Sequence, residues 1–325
     1  MSAVQLTSDY FEGRDLAADN ATMTQRIESY RERQPRETPE LIIPPGAAEG
    51  DIDTHIPEVE AGALTIDVLR ENIGRHGSLI VRKLFTPQEV ECLIPAIDRV
   101  LDACENNSRR GREVSTDAYF NPPDNLLSIM PNREKELRNT RNFHRDSGSA
   151  MCIEAPSVAE SLLAWYERHG LKSLMAQYLG ETPCLTAKKW VLRRSLLPVA
   201  EAGWHQDGAF MGTDINSLNM WLPLNECGGR TGAPGMDVLP RRLTSIASAE
   251  GAQFDWSVST NQVTSESGDN PLLCPVFNAG DAFFFDHFFL HRTQYGIDFS
   301  KIRYAVETWF FGETAFPKNQ IPLAW

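Results

Sequence analysis

The chain has 325 residues, of which 31 are Lys or Arg and 44 are Asp or Glu, leaving a formal charge of −13. No block of basic residues relieves that acidity, which argues against a nucleic-acid partner, since tracking phosphates needs a basic surface. With 42% hydrophobic and 23% charged residues the composition is that of a folded globular protein, and at about 150 residues per domain the length allows either two domains or one large β-rich domain with extensions.

Residues 1–60 read as an extension. A polar helical stretch near Thr22 to Arg33 precedes Pro35, Pro39, Pro44, Pro45 and Pro57, and proline at that density sustains neither a helix nor a central strand. The expectation is an arm lying on the surface. The N-terminus lacks the basic and apolar regions of a secretory leader, and no run approaches the roughly 18 apolar residues of a membrane span. A cytoplasmic protein with no membrane partner is therefore expected.

From Thr65 to His76 the spacing of Ile66, Leu69 and Ile73 predicts a helix. GSLIVRKLF at 77–85 predicts a strand, and Thr86-Pro87 supplies an N-cap and a proline at N1 for a helix reaching about Cys104. Residues 106–146 are polar and turn-rich, a length that in a compact domain marks a lid or an insertion. Helices are predicted at about 156–168 and 170–179. Beyond them the pattern changes to strand-like runs separated by Gly, Pro and Asn: CLTAKKWVLRRSLL (184–197), SLNMWLPLN (217–225), DAFFFDHFFLH (281–291) and IRYAVETWFF (302–311). The third run is apolar on both faces, as expected of a strand buried between a second sheet and covering helices. A second insertion is expected near 226–272. Residues 61–325 then form one β-rich α+β domain.

The six cysteines, Cys92, Cys104, Cys152, Cys184, Cys227 and Cys274, contain no C-x-x-C pair and read as reduced, buried small hydrophobes. Among the histidines, His205 lies two residues before Asp207 in AGWHQDG. On an extended segment alternation places both side chains on one face. An imidazole and a carboxylate so placed can fill two positions on a metal, and a further histidine from another strand would complete the 2-His-1-carboxylate face of a non-haem Fe(II) oxygenase. His287 and His291 are the rivals for that third position. His144 and Asp146 repeat the H-x-D spacing in NFHRDSG, but no apolar strand brackets them, so they read as a lid or surface loop. Arg303, twelve residues after His291, has the chemistry to grip a dicarboxylate bidentately.

WHQDG, GDAFFFDHFFLHRT and RYAVETWFF together resemble the phytanoyl-CoA dioxygenase family of Fe(II)- and 2-oxoglutarate-dependent oxygenases, over roughly residues 64–311. The resemblance implies a double-stranded β-helix (a cupin-like jelly roll) with helices packed on one face. It implies His205, Asp207 and His291 as iron ligands, favouring His291 over His287. It also implies Arg303 and Thr293 on the distal carboxylate of 2-oxoglutarate, Trp221 lining the same pocket, and Lys188 facing the site, with Lys189 taking that place if the register slips by one. The activity implied is oxidation, by hydroxylation or a related outcome, of a small organic substrate with O2, releasing succinate and CO2. A halogenase of the same fold would carry a small residue in place of Asp207; a jelly roll that binds metal or ligand without turnover is the other alternative. Neither the substrate nor the oligomeric state is encoded in a readable motif.

Overall fold

The computed structural model describes residues 13–31, 33–42, 55–110, 117–129, 134–268 and 270–325. Apolar residues at helical spacing do form helices. Ile66–His76 begins at Thr65, whose Oγ1 accepts from the Val68 N–H at 3.2 Å, and stops at Gly77, which takes φ 76°. The helix expected to run from Pro87 to Cys104 is instead two. Thr86 and Glu89 close a capping box over Pro87–Glu91, and Leu93–Arg110 follows. Pro95 lacks the N–H that would bond the Glu91 carbonyl, so the ladder breaks at Cys92. Pro156–Arg168 and Leu171–Leu179 fall where the pattern placed them. The stretch 106–146, expected to be turn-rich, is in good part helical: Leu93–Arg110 runs into it and Glu134–Asp146 closes it, while 111–116 and 130–133 lie outside the described residues.

Among the described residues the strands are β1 (Glu58–Glu60), β2 (Ser78–Arg82), β3 (Ser149–Met151), β4 (Pro183–Thr186), β5 (Trp190–Arg194), β6 (Trp204–His205), β7 (Ser217–Pro223), β8 (Met236–Val238), β9 (Ser257–Val258), β10 (Ala282–Phe285), β11 (His291–Thr293), β12 (Tyr304–Gly312) and β13 (Pro322–Ala324). The larger sheet runs β1-β2-β10-β7-β12-β4-β13, with β5 also pairing β12 and β3 pairing β5; the smaller runs β8-β11-β6-β9. Apart from the parallel β1–β2 pair, the strands of both sheets are antiparallel.

Period-2 alternation divides the core in two. Leu218, Met220, Leu222, Phe284, Val306 and Phe310 face the helices, where they meet Leu69, Ile73, Leu162 and Tyr166. Their neighbours Trp221, Phe283, Phe285, Ala305 and Trp309 face the smaller sheet and pack with Met236, Val238 and Phe289. The apolar mass therefore fixes which side of β12 looks into the space between the sheets, and the site lies there.

Two strand assignments need correction. DAFFFDHFFLH is not one strand: β10 ends at Phe285, the Asp286 carboxylate accepts from Phe288 N–H at 3.0 Å to make a tight turn, and β11 restarts at His291 in the other sheet. CLTAKKWVLRRSLL likewise splits into β4 and β5 around a bend at 187–189, where Thr186 Oγ1 accepts from Lys188 N–H at 3.2 Å.

The described part of the expected arm that forms a helix is packed into the core. Helix Leu16–Glu28 buries Met23 and Ile27, one turn apart, in the main core. Arg26 binds Glu160 through Nε at 2.7 Å and Nη2 at 2.9 Å, and donates to the Ala324 carbonyl at 3.1 Å. All six cysteines are free thiols, three of them buried. Among the described residues no helix is long and apolar enough to cross a membrane.

Candidate metal centre

The smaller sheet brings two histidines face to face. His205 on β6 and His291 on β11 are register partners, with ring centroids 4.5 Å apart. Asp207 arrives differently from the alternation argument. Its backbone is already helical (φ −63°, ψ −25°), the start of the short helix Gly208–Met211, so a turn and not a strand swings the carboxylate toward the imidazoles. The donor atoms of His205, Asp207 and His291 all lie within 4.8 Å of one another.

Backbone carbonyls set the tautomers. The His205 Nδ1–H donates to Gly203 O at 3.1 Å, and the His291 Nδ1–H donates to Phe289 O at 3.0 Å. A carbonyl can only accept, so each ring carries its proton on Nδ1 and turns a bare Nε2 lone pair inward. Burial, then the neighbouring His291, brings His205 down to about 4, which keeps it neutral. His291 Nε2 and Asp207 Oδ2 stand 3.9 Å apart. Three convergent lone-pair donors suit one cation, and the set is the two-imidazole, one-carboxylate face that leaves positions open.

Asp207 and His291 are buried and His205 is half-buried. Gln206, fully buried, locks the turn: its Nε2 donates to Ser245 O (2.9 Å) and Phe288 O (2.7 Å), and its Oε1 accepts from Ala247 N–H (2.7 Å). Gly208 N–H donates to His287 O at 2.8 Å, and a Cβ on Gly208 would stand 3.0 Å from that same oxygen, so a side chain there would press on the bond. Gln206→Ala leaves three part-buried backbone groups, Ser245 O, Phe288 O and Ala247 N–H, without these bonds at once. The expected loss is about 3 kcal/mol in chemical denaturation, since each orphan costs about 1–3 kcal/mol, together with metal binding weakened about 10- to 100-fold, as for other supporting partners.

The lysine beside the triad is Lys189. Lys188, expected to face the site, turns instead to Glu136 Oε1 at 2.7 Å, because the bend between β4 and β5 shifts the register. Lys189 Nζ meets Asp207 Oδ1 at 3.1 Å and Glu307 Oε1 at 3.6 Å, and Arg193 Nε donates to Glu307 Oε2 at 2.8 Å. Burial alone would raise the Glu307 carboxyl; Arg193 and Lys189 hold it well below its usual range. Glu307 is not marked as a site residue by any sequence motif. The signal was there: Arg303, Ala305, Glu307 and Trp309 alternate along one face, and a carboxylate among such apolar residues needs partners.

At the far end of that face Arg303 is buried. Its Nη1 donates to Gly235 O at 3.2 Å, its Nε has no partner, and among the described residues it makes no ion pair. Burial brings the guanidinium down to about 10. The Trp221 ring lies 5.6 Å from its central carbon. Gly235 O also accepts from the N–H of Gln294 at 3.0 Å, and Thr293, the residue before Gln294, is on β11 the register partner of Met236 on β8. A buried cation without a counter-ion is expensive unless an anion comes to it.

His287 does not join the triad. It sits in the turn after β10, its Nδ1 2.8 Å from Ser217 Oγ, and with Arg242 and Asp286 it lines a separate cavity of about 290 Å³. The second H-x-D does not join the triad either: on helix Glu134–Asp146, Asp146 is exposed and His144 is buried facing Arg193, Lys189 and Glu307. His144 pairs through Nδ1 with Ser149 Oγ at 3.0 Å, and burial brings it down to about 3. Folded-state depression of a histidine means that its full stability is present above pH 6.5 and is lost as pH falls toward 3, because the unfolded chain takes up the proton first. The expected slope is about 1.4 kcal/mol per pH unit from this group, read as urea midpoints between pH 7 and 5, and His144→Gln should flatten it.

Comparison with solved structures places this architecture. EctD from S. alaskensis with 2-oxoglutarate and 5-hydroxyectoine superposes with a TM-score of 0.52 at 14% identity, covering 86% of each chain. The same protein with bound Fe gives 0.51 at 15%, covering 87% of this chain and 86% of that one. The chain has the cupin-like double-stranded β-helix fold of these proteins. The non-heme alpha ketoglutarate dependent epimerase SnoN gives 0.45 at 12% identity, covering 76% of this chain and 83% of that one. No family model and no curated protein sequence matches the chain.

Proposed function

We propose that the protein is an Fe(II)- and 2-oxoglutarate-dependent oxygenase acting on a small organic molecule, with hydroxylation as its reaction, carried by residues 61–325 with the first 60 as their extension. One observation carries the reading: three convergent metal donors and a buried arginine with an unpartnered Nε and, among the described residues, no ion pair both face the space between the two sheets. Simple metal storage would need no Arg303. The sequence resemblance to the phytanoyl-CoA dioxygenase family and the iron and 2-oxoglutarate in EctD structures of the same fold support it.

In this reading His205, Asp207 and His291 hold the iron, and Arg303, with Thr293 and Trp221 beside it, takes the distal carboxylate of 2-oxoglutarate. When bound, Fe(II) with O2 couples oxidative decarboxylation of 2-oxoglutarate to oxidation of the substrate, giving succinate, CO2 and product. The protein's own residues position and shield. Lys189 occupies Asp207 Oδ1, leaving Oδ2 to face the imidazoles, and the carbonyls of Gly203 and Phe289 keep both rings in the ligand tautomer. The intact Asp207 disfavours a halogenase, which needs that position for halide. The test is anaerobic addition of Fe(II) and 2-oxoglutarate, followed by oxygen. A weak visible charge-transfer band and slow succinate release are expected, and an intact protein that shows neither sinks the proposal.

A further inference from the structure

The unequal burial of the triad shows where the site opens. Asp207 and His291 are buried, Arg303 lies deep at the other end, and His205 alone of the three is half-exposed. Whatever approaches from solvent must pass the residues around His205. These are aromatic. Phe210 lies 6.5 Å from the His205 ring and Trp256 lies 5.8 Å from it at 88°. Phe254 stacks on Trp256 at 4.9 Å and 3°, while Phe210 stands at 90° to Trp256, 6.2 Å away. Two flat walls therefore meet at a right angle beside the metal ligand, and Phe254 is 40% exposed at the outer edge.

The cation at this corner is already matched. Lys189 Nζ sits 4.4 Å from the Phe210 ring centre, and its partners are Asp207 and Glu307. A cationic ligand would meet that ammonium across the phenyl ring instead of an open aromatic face. An anionic ligand would have to take Lys189 away from two carboxylates. What the corner offers without such a cost is stacking on one wall and edge contact with the other, the geometry preferred by aromatic pairs.

We propose that Phe210, Phe254 and Trp256 form the substrate-recognition corner of the site and select a neutral substrate built on a planar, unsaturated ring system. The proposal rests on the oxygenase reading and supplies its substrate class. Phe254 and Trp256 lie in the loop just before β9, whose Ser257 is the register partner of His205, and Phe210 follows Asp207 in the short helix, so both walls are tied to the backbone that carries the metal ligands.

The test compares three probes on one carbon skeleton, 2-naphthol, decahydro-2-naphthol and a trimethyl-(2-naphthyl)ammonium salt, by anaerobic calorimetry with protein loaded with Fe(II) and 2-oxoglutarate. The saturated alcohol is the more lipophilic, so non-specific apolar binding would favour it. The corner predicts that 2-naphthol binds about fivefold or more tightly than its saturated analogue, in line with the stacking increment of aromatic pairs, and more tightly than the ammonium. Trp256→Leu keeps apolar volume but loses flatness; it should abolish the preference while iron content is retained, and Phe254→Leu, at a more exposed position, should reduce it. Equal or reversed ring preference, tighter binding of the ammonium, or a preference intact in both variants overturns the proposal. Failure of the wild type to take up iron and 2-oxoglutarate would instead strike the oxygenase reading, and the same three probes on the metal-free protein then judge the corner by itself.

Discussion

His291→Ala is expected to take iron content to near zero and to abolish the charge-transfer band with 2-oxoglutarate, while His287→Ala keeps both. The two histidines are four residues apart, yet the chain turns between them. His291 belongs to β11, where the ladder sets it directly opposite His205, and its Nδ1 is held by Phe289 O so that Nε2 faces Asp207. His287 precedes the turn's exit, its ring directed to Ser217, and its link to the site is a backbone carbonyl that survives truncation to alanine. Supporting partners of a metal site are worth about 10- to 100-fold in affinity, so loss of a ligand itself should exceed about 100-fold. His287→Ala should cost about 1–3 kcal/mol of stability through the lost hydrogen bond and the enlarged cavity. Metal analysis of both purified variants decides it, and iron lost from His287→Ala but kept in His291→Ala would overturn the assignment.

The residues of this site were legible in the sequence to different depths, and the reason is where the backbone turns. His205 and Asp207 were found by assuming an extended segment, and they do converge. The convergence comes from a turn into helix at Asp207, which spacing alone does not distinguish from alternation. The run 281–291 was legible as buried on both faces because its phenylalanines are apolar at every position. That same uniformity hid the turn at Asp286 which sends His291 to the other sheet. Lys188 and Lys189 show the reverse problem. Two adjacent identical residues carry no pattern, so a bend at 187–189 decides which faces Asp207, and it is Lys189. Glu307 pairs with partners from β5 and from that bend, contacts set by tertiary packing and silent in local sequence. Helix Leu16–Glu28 was mislaid for a related reason: only Met23 and Ile27 anchor it in the core, too narrow a stripe to stand out among polar neighbours.

Arg303→Leu should weaken 2-oxoglutarate binding by about 10- to 150-fold, because a charge-assisted hydrogen-bonded pair with a carboxylate is worth about 1.5–3 kcal/mol, and it should leave iron binding nearly unchanged. The structure adds a second expectation of opposite sign. Without cosubstrate, Arg303 is a buried guanidinium with an unpartnered Nε and, among the described residues, no carboxylate in reach, already driven down to about 10 by burial. An apolar side chain of roughly similar volume removes that unpaired charge, so the cosubstrate-free protein should melt at a higher temperature as Arg303→Leu than as wild type. Adding 2-oxoglutarate should reverse the order, since ligand bound only by the folded wild type stabilises it by mass action. Arg303→Lys keeps the charge but not the planar fork and should fall between the two in affinity. A purely structural arginine would behave otherwise: its removal would lower the melting temperature with or without cosubstrate and leave the 2-oxoglutarate titration where it was. Should the affinity hold in Arg303→Leu, the carboxylate must be gripped elsewhere, and Lys189 or Arg193 would have to leave Glu307 to do it. That exchange would release a buried carboxylate from its partners, and it would be read as a fall in 2-oxoglutarate affinity in Lys189→Met or Arg193→Met while Arg303→Leu keeps it.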